Sequence, residues 1–69
     1  TELTVENEAP ITGKYLREIH FPAESVVVSL RRKNRVIIPR GDTLIKSGDI
    51  LVVAAQNQAL AEIQEMCRA

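Results

Sequence analysis

Five of the nine basic residues fall within ten positions: Arg31, Arg32, Lys33, Arg35 and Arg40. Guanidinium groups match phosphate and carboxylate in a two-pronged way, so this spacing could hold an anion. The plain alternative is a solvated hairpin tip. Other chemistry is poorly supplied. A nucleophile with its base needs a Ser or Cys near a His and an orienting carboxylate. The only histidine, His20, lies just before Pro22, and the only cysteine, Cys67, lies on an apolar helical stripe. They read as a surface imidazole and a packed thiol. Asp42 and Asp49 each follow a glycine and read as turn caps rather than a carboxylate pair. No G-x-G or G-x-x-x-x-G-K spacing is present to cradle phosphate. Arg40-Gly41-Asp42 matches a cell-adhesion tripeptide, a pattern too short to carry weight. An enzyme is not expected, and a small hydrolase is set aside.

The elements that must position these residues are small. Sixty-nine residues allow one domain. One cysteine excludes an internal disulfide, and one histidine excludes a His/Cys metal cluster. Small domains without such staples lean on association. Apolar residues are 45% of the chain, yet Tyr15 and Phe21 are the only aromatics, so the core is aliphatic. Nine basic and nine acidic residues balance, which argues against a nucleic-acid or membrane-surface binder. No apolar run approaches the roughly 20 residues of a membrane span. The chain opens on "TELTVENE" with no initiator Met and no signal-like segment, and is expected to be a piece of a larger protein.

Periodicity predicts the order β-α-β-β-β-α. "ELTVE" alternates, with Leu3 and Val5 on one face. "ITGKYLREIHFP" reads as a short helix, with Thr12 as N-cap, Ile11 and Leu16 as a hydrophobic staple, and Pro22 as the stop. "ESVVVSLRR" is the strongest strand. Val26, Val28 and Leu30 are expected on one face; Val27, Ser29 and Arg31 on the other. "RKN" is the turn, with Asn34 able to turn left-handed. "RVIIP" returns, Val36 and Ile38 on one face, Ile37 and Pro39 on the opposite one, and Pro39 marks an end or edge. Gly41 and Gly48 are expected to carry positive φ. "DILVVAA" is apolar on both faces and should be central. "NQALAEIQEMCRA" is the closing helix, capped by Asn57, with Ala59, Leu60, Ile63, Met66 and Cys67 as its buried stripe. A second, partly apolar sheet face of Val27, Ile37 and Val53 would serve a subunit contact.

Taken in order, Gly13-Lys14-x-Leu16, Phe21-Pro22, Val26 to Arg31, Ile37-Ile38-Pro39, Gly41-Asp42-Thr43 and Gly48-Asp49 resemble the C-terminal subdomain of RCK proteins, the TrkA-C domain. The likeness covers nearly the whole chain. It implies an α+β fold, a mostly antiparallel small sheet with helices packed on it, spanning residues 1–69 as one dimeric domain. It implies a non-catalytic regulatory and assembly role at the cytoplasmic face of the cell membrane, beside an ion channel or transporter. The Arg-Arg doublet and "IIPRGDT" look most like versions appended to chloride channels, with a potassium uptake or efflux regulator as the alternative. Some family members bind cyclic di-AMP between subunits. Carried over by position, that implies a ligand site of Arg31, Ile38 and Pro39, with Arg40 adjoining, and no other cofactor. The rival reading is a bare dimerisation module with no ligand.

Overall fold

A computed structural model describes residues 1–69. Four strands form one antiparallel sheet: β1 (Glu2–Thr4), β2 (Ser25–Arg32), β3 (Arg35–Ile37) and β4 (Ile50–Ala55), in the spatial order β1-β4-β2-β3. One helix, α1 (Asn57–Met66), follows β4. The α+β fold with a small antiparallel sheet is as expected, and the apolar run of β4 is central. Leu3, Leu51, Leu30 and Ile37 align in one row across all four strands on the covered face. Ile63 from α1, Cys67 at its C-cap, Ile45 from the β3–β4 connection and Val5, Ala9 and Ile11 close over that row. Ala59, Ile63 and Cys67 are buried, as the helical spacing requires, with Leu60 and Met66 at the margin. The N-cap of α1 is Gln56 rather than Asn57, and no side chain caps it.

The first expected helix does not form. Only a 3-10 turn, η1 (Leu16–Glu18), is helical in this segment. The backbone N–H groups that a helix would use internally are given to residues 41–45 instead. Gly13 donates to the Ile45 carbonyl at 2.8 Å, Leu16 to Thr43 and Arg17 to Gly41, both at 3.0 Å. Gly13 has φ +81°, which breaks a right-handed helix at that point. Thr12 therefore caps nothing, and its hydroxyl is buried without a partner. The turn is capped by Glu18, whose carboxylate accepts from the Tyr15 N–H at 2.8 Å.

The face assignment of β2 also differs. Val27 lies opposite Val53 and Ser29 opposite Val52, so Val28 is an extra residue in a β-bulge. One inserted residue reverses the inside-outside phase. Val27 and Leu30 consequently share the covered face, while Val26 and Val28 are exposed. Val53 is a core residue, and Val27 and Ile37 are half-buried beside it, so these three do not form a free contact face. In the β2–β3 turn the left-handed residue is Lys33, at φ +58°, not Asn34. Gly48 has φ +85° as expected, whereas Gly41 is not left-handed.

Candidate functional site

The basic cluster divides into three environments. Arg32 turns to the covered face and meets Asp49, which is 1% exposed. Its Nε and Nη2 donate to the two carboxylate oxygens, each at 2.8 Å, and Nη2 also donates to the Leu44 carbonyl. Lys46 N–H adds a third bond to this carboxylate at 2.8 Å. The hydrogen bonding of Arg32 to Asp49, and the Asp49 charge, raise the Arg32 pKa against the opposing effect of burial. This pair locks the β2–β3 hairpin to the turn before β4. Asp49 is thus a turn cap as expected, but also half of a buried ion pair that sequence spacing does not reveal. Asp42, by contrast, is exposed, and the hydroxyl of Thr43 accepts from Arg40 N–H at 2.9 Å in its place.

Arg31 points to the opposite, uncovered face. The strand register sets it in one row with Val36 on β3, Ile50 on β4 and Thr4 on β1. Its guanidinium contacts the Glu2 carboxylate at 3.1 Å, with both side chains about half exposed. Val36 and Ile38 are 65% and 68% exposed, and Val26 and Val28 are 62% and 54% exposed, so the uncovered face is apolar around one ion pair. Ile38 belongs to this face by strand alternation with Val36. Pro39 and Arg40 do not. They line a groove on the other side, with Leu16, Arg17, Phe21 and Val27. The four expected site residues therefore split into Arg31 with Ile38 and Pro39 with Arg40. Arg17 is the residue missed: it joins Arg40 only because residues 13–17 pair with 41–45.

His20 is exposed in a shallow groove with Glu24 and Glu62. No three potential metal-ligating side chains come together. Cys67 is buried, and burial pushes its thiol pKa up, with the nearby Glu6 charge adding to the rise. No helix is long and apolar enough to cross a membrane.

The TrkA-C domain model matches residues 1–68. A potassium uptake protein TrkA homolog of Archaeoglobus fulgidus is 34% identical over 67 residues, covering 97% of this chain and 15% of that protein. A second homolog from Methanosarcina mazei is 32% identical over 65 residues, covering 94% of the chain and 14% of that protein. TrkA of Mycobacterium tuberculosis is 31% identical over 65 residues, with 94% and 30% covered. The chain thus spans a third or less of the length of these relatives. A solved structure described as "Structure of RCK domain with cda" superposes with a TM-score of 0.88 at 26% identity, covering 99% of this chain and 96% of that one. These relatives are named for potassium uptake, so the expected likeness to chloride-channel appendages is not supported and the potassium alternative fits better. The matched family model, the shared fold and the sequence identities agree: the chain belongs to the TrkA-C domain family, whose members are regulatory and not catalytic.

Proposed function

We propose that the chain is the regulatory and assembly domain of a longer potassium uptake protein, working on the cytoplasmic side as a homodimer and partnered by a membrane-embedded transporter. In this reading a small anionic ligand, a nucleotide such as cyclic di-AMP, binds at the uncovered sheet face where two subunits meet. The observation that carries it is Arg31 placed among exposed Val36, Ile38, Val26 and Val28. Arg31 neutralises phosphate, and Ile38 offers an apolar surface to a base at the edge strand, with Pro39 beside it. The names of the relatives support potassium uptake, and the similar RCK structure is described as being with cda. A bare dimerisation module is the second reading, favoured by the Glu2 carboxylate that already partners Arg31.

Calorimetric titration of cyclic di-AMP and mononucleotides tests this. Arg31→Ala should weaken binding about tenfold or more, since a charge-assisted hydrogen bond contributes roughly 1.5–3 kcal/mol. Glu2→Gln should strengthen it up to several-fold, because an exposed ion pair contributes about 0–1 kcal/mol and the ligand must displace it. Lys46→Ala, with its side chain in the turn before β4, should change nothing. No binding by any of these nucleotides would leave the assembly role alone.

A further inference from the structure

Three guanidinium groups, those of Arg17, Arg35 and Arg40, stand outside every ion pair of the chain, and two of them share a groove. The three pairs use Arg31, Arg32 and Arg68, so neither Arg17 nor Arg40 has a carboxylate within 4 Å. Yet both line one groove of about 290 Å³. The backbone brings them there: Arg17 N–H donates to the Gly41 carbonyl at 3.0 Å. The Arg17 guanidinium stacks 4.8 Å over the Tyr15 ring, which leaves its N–H edges for a phosphate or carboxylate. Leu16, Phe21, Val27 and Pro39 supply the apolar floor between the two charges. Like charges on one surface without a counter-charge favour an anion between them, and an apolar floor beside a few polar groups is how small-molecule sites are built.

We propose that this groove binds a small organic anion within a single subunit, its phosphate or carboxylate head held by Arg17 and Arg40 and a flat apolar body resting on Phe21, Leu16 and Pro39. The volume lies at the lower end of ligand pockets, about 300 Å³, which suits one ring with one charged head and not a cyclic dinucleotide. The site is separate from the uncovered face, because Pro39 and Arg40 turn to the side of the sheet away from Arg31 and Ile38.

The test is an amide-resolved NMR titration of the chain with phenyl phosphate, benzoate and inorganic phosphate. Phenyl phosphate or benzoate should saturate, shifting the amides of Arg17, Phe21 and Gly41; the tighter of the two identifies the head group. Inorganic phosphate, lacking the body, should bind several-fold more weakly. Arg17→Gln and Arg40→Gln should each weaken binding about tenfold or more. Both positions are exposed, so the thermal midpoint of each variant should match wild type. Arg31→Ala should leave this binding unchanged, which keeps the result independent of the fate of the uncovered-face site. Absence of saturation with both organic anions would overturn the proposal. So would inorganic phosphate binding equally well, or an Arg31→Ala loss as large as that of Arg17→Gln.

Discussion

Asp49 is the most consequential single side chain in this domain. It is buried to 1% exposure, and its carboxylate accepts three hydrogen bonds, two from Arg32 and one from the Lys46 N–H. Removing one partner of a buried pair leaves an uncompensated charge and costs roughly 3–5 kcal/mol. Arg32→Leu should therefore unfold most of the population or lower the denaturation midpoint sharply. Arg32→Lys should not restore it, because an ammonium cannot make the two-pronged contact. A wild-type midpoint for Arg32→Lys would mean that charge alone suffices. Cys67 gives a pH dependence. Its folded pKa is raised by burial and then by Glu6, so the neutral thiol's contribution is complete below the unfolded thiol pKa and is lost as pH rises through the folded value. The thermal stability of wild type should therefore fall in the alkaline range more steeply than that of Cys67→Ala. Parallel curves would show that the thiol does not titrate differently in the two states.

At the scale of elements, turns and edges decide more than helices do. Gly48 turns the chain at φ +85° while its N–H donates to the Val5 carbonyl at 2.8 Å, tying the end of β1 to the turn before β4. Gly48→Val should cost roughly 1–3 kcal/mol from backbone strain, although an added Cβ meets nothing within 4 Å. Gly41 has no such φ, and its added Cβ would sit 3.5 Å from Arg17 Cβ, an ordinary contact. Gly41→Ala should therefore fall within about 0.5 kcal/mol of wild type, as surface substitutions usually do. Chemical denaturation of the two variants checks the contrast; equal effects would mean the two turns are of one kind. The first helix illustrates the same competition. Leu16 and Ile19 still pack at the margin of the core, but the backbone of residues 13–17 is spent on pairing with residues 41–45.

For the whole molecule, one sheet face is covered by α1 and the connecting segments and the other is not. The exposed Val26, Val28, Val36 and Ile38 make that second face the expected subunit contact. Burying it contributes about 25 cal/mol per Å² before the costs of association. Sedimentation at micromolar concentration should find a dimer of the wild type and a folded monomer of Ile38→Glu combined with Val36→Glu. A wild type that stays monomeric and folded would remove assembly from the domain's function.

The sequence by itself determined the strand order in the chain, the central strand, the buried stripe of α1, and the ordered motifs that mark the family. These rest on local periodicity and turn chemistry, which a linear chain displays directly. Pro39 and Arg40 were legible as candidates, and so was the alternation that sets Val36 and Ile38 on one face. Tertiary structure alone decided three things. The bulge at Val28 chose which valines face water, because a single unpaired residue shifts phase without any mark in composition. The pairing of residues 13–17 with 41–45 replaced a helix by one 3-10 turn and brought Arg17 to Arg40. The third was the division of the arginines. Neighbouring residues on a strand point to opposite faces, so Arg31 and Arg32, adjacent in the chain, became an exposed partner of Glu2 and a buried partner of Asp49.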